Sequence, residues 1–400
     1  MHSRLRSTIA EILPEITALR HELHGHPETR FEERWTSDRI ARFLDEAGVA
    51  HTRGWAGGTG IVAEFGPAGG RSVALRADID ALEIQEETGL PYASTVAGRM
   101  HACGHDGHTA ILCGAAKTLA RHLDLLRGGV RLIFQPAEEI AGGGKYMVEE
   151  GALNGAAGAF ALHAWPGIPA GKVGLRAGCA MASADFFRIE VAGKGGHGAA
   201  PASCVDPVVA AAHIVLALQS IVSRERAPWE AGVVTIGRID GGSTSNIIPD
   251  RVLMEGTLRA LDAAQRAAMS ESLRRIAEHA AAALRARAEV FVSETGYPPL
   301  HNDAASCAFV RDTVTACLGP EAVLEVEHPF MTAEDFAYYL EKTPGAFLFL
   351  GNDPPGVTEA PPLHSPRFRF NDSALATGIE TMAELAIRFH EPTLAQEHRS

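Results

Sequence analysis

The sequence predicts an α/β protein with a mainly parallel central sheet flanked by helices, interrupted by an inserted α+β domain. Three observations carry that expectation. Apolar, strand-like runs alternate with helical stretches through about residue 180, the pattern changes over 181–295, and the alternation returns from 296 onward. The 400 residues exceed the size at which one hydrophobic core usually stops growing, so two domains are expected from length alone. Hydrophobic content of 46% and charged content of 21% are ordinary for a folded globular chain.

Near the N-terminus, Leu5, Ile9, Ile12, Leu13, Ile16 and Leu19 recur at roughly helical spacing, with Pro14 expected to kink or break the helix. A second helix takes Thr36 or Ser37 as N-cap, turns Ile40, Phe43 and Leu44 to one face and stops at Gly48. Strands are expected at about 60–65 (GIVAEF) and 72–79 (SVALRADI). A helix at about 106–122, a strand at 130–135, a helix at about 142–150 and a strand at 157–162 come next. From 181 the order is a strand (FFRIEVAGK), a helix at about 206–226, strands VVTIGRI and RVLMEGTLRA, a helix at about 263–287 and a strand EVFVSET. This βαββαβ order predicts a sheet with one face covered by two helices. The chain is expected to end in a helix at about 372–389, so residues 1–180 and 296–400 form one discontinuous domain and 181–295 the inserted one.

Charge narrows the partners. Forty-nine acidic against 36 basic residues leave a net charge of −13, which disfavours nucleic acid and anionic membranes, because both need a dense positive surface. The first thirty residues lack the apolar core and cleavage site of a secretory signal, and no stretch approaches the roughly 18 apolar residues of a membrane span. Six scattered cysteines fit reduced thiols, so a cytoplasmic setting is expected.

The densest chemistry lies in residues 100–110, MHACGHDGHTA. On a helix Cys103 and His105 would point about 200° apart, so both can face one ion only where the backbone turns, which Gly104 and Gly107 permit. Taken singly, His101, His105 and His108 read as ordinary loop or first-turn histidines. Other segments add weight. FQPAEE puts Glu138 and Glu139 after an apolar strand, on a loop before the glycine run; one could bind a metal while the other acts as a base. His163 (LHAWP) ends an apolar strand, His364 (PPLHSPRF) lies on a proline-rich loop, and Asp78 and Asp80 (RADIDAL) share one strand face. Metal-type ligands therefore converge on one sheet edge. A competing reading makes Cys103 a nucleophile activated by His105 or His101.

The motifs LHGHPE, RADIDAL, MHACGHDGHTA, FQPAEE, ALHAWP, GKGGHGAAP, GGSTSNIIPD, GTLRA, EDF and PLHSPRFRFND occur in this order over nearly the whole length. They resemble the metallo-amidohydrolase family of hippurate hydrolases, indoleacetyl-amino-acid hydrolases and N-acyl-amino-acid deacylases, and more distantly aminoacylase and carboxypeptidase G. The resemblance implies Cys103, His105, Glu139, His163 and His364 as ligands of two divalent ions, zinc or manganese, with cobalt or nickel as substitutes. It implies Glu138 as general acid/base acting on a water between the metals. The wider group has a histidine ligand two residues before Asp78; Arg76 stands there, so Asp78 is expected beside the ligands rather than among them. Thr332-Ala333 replaces the Gly-Ser that many relatives carry before Glu-Asp-Phe, a difference that bears on substrate scope.

The same resemblance makes residues 1–180 with 296–400 the catalytic domain and 181–295 a dimerisation or lid domain. In the family the residue matching His197 enters the partner subunit's site and helps stabilise the oxyanion, so a homodimer is expected. Asn246 is a neutral donor for an oxyanion or carboxylate, and Arg259 would pair with the substrate's α-carboxylate. By spacing alone His197 reads equally as a turn histidine and Arg259 as an exposed strand-end arginine. The implied activity is metal-dependent hydrolysis of N-acetyl, N-benzoyl or similar amino acids. N-carbamoyl-amino-acid hydrolysis or dipeptide cleavage is the near alternative, and a non-catalytic metal-dependent binding protein the remote one.

Overall fold

The computed structural model describes residues 2–67, 71–293, 295–357 and 359–391. Its strands, in chain order, are β1 (His51–Trp55), β2 (Gly60–Phe65), β3 (Ser72–Asp78), β4 (Gly129–Gln135), β5 (Ala156–Pro169), β6 (Val173–Leu175), β7 (Gly178–Met181) and β8 (Asp185–Ala192). They continue with β9 (Gly196–His197), β10 (Gly232–Gly241), β11 (Ile247–Ile248), β12 (Arg251–Ala260), β13 (Arg287–Val292), β14 (Leu300–Asn302), β15 (Val323–Glu325) and β16 (Gly345–Asp353). The helices are α1 (His2–Gly25), α2 (Arg34–Glu46), α3 (His105–Ala120), α4 (Glu138–Ala141), α5 (Gly143–Glu149) and α6 (Pro207–Leu218). After them come α7 (Ser220–Ser223), α8 (Ala263–Ala283), α9 (Ala304–Leu318), α10 (Ala337–Leu340) and α11 (Ala374–Arg388).

The chain divides into two compact units, one of Met1–Gly178, His301–His328 and Tyr338–Ser400, the other of Cys179–Leu300 and Pro329–Ala337. Residues 329–337 thus depart from the boundaries expected from sequence. Backbone pairing explains it: the Phe330 amide donates to Ala180 O and the Ala182 amide donates to Phe330 O, each at 2.9 Å.

In the first unit an eight-stranded sheet runs β1-β2-β4-β3-β5-β16-β6-β15. Its centre is parallel, from β4 through β3 and β5 to β16, while β1, β2 and β6 join antiparallel. Every residue of β16 is buried, which is why GAFLFLGND reads as a nearly continuous apolar run: a strand covered on both faces needs no alternation. Helices α1, α3 and α11 pack together, joining Ile16, Ile111 and Ile379 in one core. Glycines permit that approach, since a Cβ on Gly114 would lie 2.6 Å from Ile379 Cδ1. Pro14 sits inside α1 without breaking it, so of the expected kink or break the break does not occur; the buried stripe of Leu5, Ile9, Ile12, Ile16, Leu19 and Leu23 outweighs the one hydrogen bond Pro14 removes.

In the second unit β10-β12-β8-β13 form an antiparallel sheet with β10 and β13 at its edges. Ile189, Val191, Met254 and Leu258 face Ile214, Leu218, Leu273 and Ala277 from α6 and α8, while Phe186 and Phe291 remain exposed. The helix expected over 206–226 is divided into α6 and α7 at Gln219. Among the described residues no helix is long and apolar enough to cross a membrane.

Candidate metal centre

The centre forms where parallel strands stop at different heights. β3 and β4 end side by side at Asp78 and Gln135. Pairing of β3 with β5 ends at Arg76 and Ala161, but β5 runs on to Pro169, still paired with β16. His163 is therefore a mid-strand residue, not a strand end as the sequence predicted. It is buried, and the β3–β5 register sets it level with Asp78, the last residue of β3, at the carboxyl edge of the sheet.

Three turns bring the other donors to that edge. Gly104, in the left-handed region at φ 89°, separates Cys103 from His105, the first residue of α3. Cys103 Sγ lies 3.3 Å from His163 Nε2. The His163 Nδ1–H donates to Ala164 O at 2.8 Å, which leaves Nε2 as the lone-pair nitrogen. Ala137, a non-glycine at φ 55°, turns the chain from β4 into α4, so Glu138 and Glu139 open a short helix rather than lying on the expected loop. His364, at φ 63°, anchors its backbone N–H on Ala102 O at 2.9 Å and places Nε2 3.3 Å from Glu139 Oε2.

Donor atoms of Cys103, His105 and His163 lie within 4.8 Å of one another. So do those of Cys103, Glu139 and His364, and those of His105, Glu138 and Glu139. His105 Nε2 and Glu139 Oε1 are buried and have no hydrogen-bond partner. Such atoms are costly to bury unpaired, and these two, 3.8 Å apart, fit a cation held between them. Sulfur, nitrogen and oxygen donors in overlapping triples fit a pair of first-row divalent ions.

Around the donors lies a hydrogen-bonded shell. Asp78 accepts from Arg76 Nη1 at 2.7 Å and from His108 Nδ1 at 2.6 Å, and His105 Nδ1 faces Asp80 Oδ1 at 3.2 Å. His108 Nε2 accepts the Ala164 N–H at 2.8 Å, so both nitrogens of this ring are already engaged. Burial alone would lower His105, but Asp78, Asp80 and Glu139 outweigh it and hold the ring up at about 10. Burial, then Glu139, Glu138 and Asp78, push the Cys103 thiol well above its ordinary range. An activated nucleophile needs the opposite surroundings, which weighs against Cys103 as the attacking group and suits an acidic pocket neutralised by metal charge.

In the second unit His197 and Asn246 come together on the β9–β11 ribbon. His197 pairs with Ile247, and the Gly198 amide donates to Asn246 O at 2.8 Å. His197 is exposed, and its Nδ1 accepts the Ala199 N–H at 3.1 Å, which leaves the proton on Nε2. Arg259 lies one residue from the end of β12, half-buried rather than exposed. Burial lowers its guanidinium, partly offset by Asp185, and among the described residues it makes no ion pair.

The family model of peptidase family M20/M25/M40 matches residues 74–388. The chain belongs to that family. It is 42% identical over 377 residues to N-acetyl-L-cysteine deacetylase of Bacillus subtilis, covering 94% of this chain and 88% of that one. It is 40% identical over 384 residues to the IAA-amino acid hydrolase ILR1-like 2 of Arabidopsis thaliana, covering 95% and 86%. A solved structure from Bacillus subtilis, a dinuclear metal binding peptidase of family M20, superposes with a TM-score of 0.82 at 38% identity, covering 96% of this chain and 100% of that one. This M20-family chain is a hydrolase.

Sequence reading passed over two residues near the centre. Gln135 accepts from Arg76 Nε at 2.9 Å and holds the arginine beside Asp78. Glu33 is fully buried. The one signal for Gln135 was a polar residue closing an apolar strand; for Glu33 there was none. His24 and His26 are held outside the donor set: His24 Nδ1 pairs with Asp106 at 2.9 Å, and His26 stacks on Trp35.

Proposed function

We propose that this protein hydrolyses the amide bond of N-acyl amino acids, releasing a carboxylic acid and a free amino acid, in a reaction that depends on two divalent metal ions. The observation that carries this reading is the convergence of Cys103, His105, Glu139, His163 and His364 beside the buried Glu138. Relatives named for N-acetyl-L-cysteine deacetylation and IAA-amino acid hydrolysis support the substrate class. The five donors would hold the ions, and the mixed donor set suits zinc or manganese, with cobalt or nickel as substitutes. When bound, the ions polarise the amide carbonyl and make a water acidic enough to attack near neutral pH.

Glu138 takes the attacking water's proton on a carboxylate oxygen and passes it to the departing nitrogen. Asp78, held by Arg76 and His108, keeps negative charge 3.7 Å from His105 Nε2, while Asp80, facing Nδ1 at 3.2 Å, fixes that ring from behind. His197 offers its Nε2–H to the developing oxyanion, with Asn246 as a second neutral donor. The guanidinium of Arg259 pairs with the α-carboxylate of the amino acid. The unit of Met1–Gly178, His301–His328 and Tyr338–Ser400 serves as the catalytic domain, and that of Cys179–Leu300 and Pro329–Ala337 as the dimerisation and lid domain. The working form is a homodimer in which His197 serves the partner's centre; edge strands β10 and β13 offer surfaces for pairing. All six cysteines are free, as a cytoplasmic protein would keep them.

The test is hydrolysis of N-acetyl-L-cysteine, N-benzoylglycine, N-carbamoyl amino acids and dipeptides by chelated protein, before and after adding zinc or manganese. Turnover of an N-acyl amino acid restored by metal supports the proposal; full turnover after thorough chelation overturns it. Mixing His197→Ala with Glu138→Ala subunits should recover activity, and a mixture as inactive as its parents would count against sharing across the dimer.

A further inference from the structure

Glu33 stands at the start of α2, where an acidic side chain ordinarily caps its own helix. It does not do so here. The Trp35 and Thr36 amides are taken by Glu28, at 3.1 and 2.9 Å, and the Glu33 carboxylate turns the other way. There it accepts the Ala137 N–H on Oε1 at 3.0 Å and the Thr59 hydroxyl on Oε2 at 2.9 Å, fully buried.

The Ala137 bond matters because the next residue is Glu138. Ala137 is left-handed at φ 55° and ψ 41°, a conformation unfavourable for any residue with a Cβ. The turn closes tightly, with the Gly143 amide donating to Ala137 O at 3.0 Å. Two residues on, Asp80 Oδ2 accepts the Glu139 N–H at 3.1 Å. Glu138 is thus bracketed by two amides, each held by a carboxylate from a distant part of the chain.

We infer that Glu33 is a positioning residue for Glu138: its buried carboxylate fixes the left-handed turn at Ala137 and so aims the Glu138 carboxylate at the donor cluster. The role rests on the proposed function of Glu138 as general acid/base. Burial and the charge of Asp80 push the Glu33 carboxyl up to about 7. Protonation leaves the function intact, because a protonated Oε2 can donate to Thr59 while Oε1 still accepts from Ala137. A glutamine at this position reproduces that pattern, whereas alanine removes it.

The experiment compares metal-loaded wild type, Glu33→Ala, Glu33→Gln and Glu138→Gln, reading steady-state hydrolysis of N-acetyl-L-cysteine, bound zinc or manganese, and hydrogen–deuterium exchange over residues 136–143. Glu33→Ala should lower kcat by about 10²-fold, the cost of a misplacement near 1 Å, with KM and metal content near wild type and faster exchange in that segment. Glu33→Gln should restore most of kcat and slow the exchange again. If Glu33→Ala does not fold, Glu33→Asp, whose carboxylate is drawn back by about 1.5 Å, should show the same loss. Wild-type exchange in the alanine or aspartate variant, or a glutamine variant as impaired as alanine, overturns the inference. An active Glu138→Gln overturns instead the reading of Glu138, and the exchange result still decides whether Glu33 holds the turn.

Discussion

His105 Nε2 and Glu139 Oε1 face each other across 3.8 Å, both buried and neither hydrogen-bonded. Two such atoms, brought together from α3 and α4, destabilise the fold unless something satisfies both. A divalent cation does so, and it binds the folded chain far better than the unfolded one. Adding zinc or manganese to chelated protein should therefore raise its thermal midpoint, by the equivalent of about 2.7 kcal/mol at a hundredfold excess over Kd. Glu139→Ala should abolish most of that rise; a midpoint indifferent to metal in the wild type would contradict the assignment of the pair as ligands.

His108 is as rich in lone pairs as the proposed ligands and lies beside them, yet both its nitrogens are engaged by Asp78 and Ala164. Its substitution should act on stability rather than on metal content. His108→Ala strands a buried carboxylate oxygen and a buried amide, each worth about 1–3 kcal/mol. The urea midpoint should fall accordingly while the ratio of bound metal to chain is kept. A stable variant that has lost metal would make His108 a ligand after all.

His24 gives stability a pH dependence. Burial alone would lower this ring, but Asp106 and Glu86 outweigh it and raise it to about 9, above the roughly 6.5 of an unfolded chain. The folded state therefore binds the proton more tightly. The resulting stability is fully present below about pH 6.5 and is lost as pH rises through about 9. Urea unfolding of His24→Asn across pH 6 to 10 should show a deficit against wild type that is largest at the acid end and shrinks toward the alkaline end. A deficit that does not change with pH would mean the ring is neutral when folded.

The contact between α3 and α11 is set by small residues. A Cβ on Gly114 would lie 2.6 Å from Ile379 Cδ1, so Gly114→Ala should destabilise by about 1–3 kcal/mol through overpacking. Thermal unfolding of Gly114→Ala and of its double variant with Ile379→Ala would show it: the alanine at 114 should cost less once the isoleucine is gone.

Much of the fold was legible in the sequence because burial leaves a periodic mark. The largely apolar β4 and the buried stripe of α1 can be read from residue type alone. Part of the centre was legible too, since Cys103 and His105 can share an ion only across a turn and Gly104 supplies one at φ 89°. Two local signals misled. Pro14 reads as a kink or break, yet the helix continues because its buried face is held by tertiary packing. Glu138 and Glu139 read as loop residues, yet a left-handed Ala137 starts a helix at that point.

By itself the sequence determined which chemical donors exist and that they fall near the carboxyl edges of strands, because residue type and periodicity are local properties. Only the tertiary structure decided which donors face one another. His163 is in the centre because it stands level with Asp78 at the end of β3, a matter of register between strands far apart in the chain. Glu33 supports Glu138 because a buried carboxylate must find donors and finds one on Ala137, 104 residues away. Strand register and the pairing of buried polar groups are settled by packing between remote segments, so no window of sequence contains them.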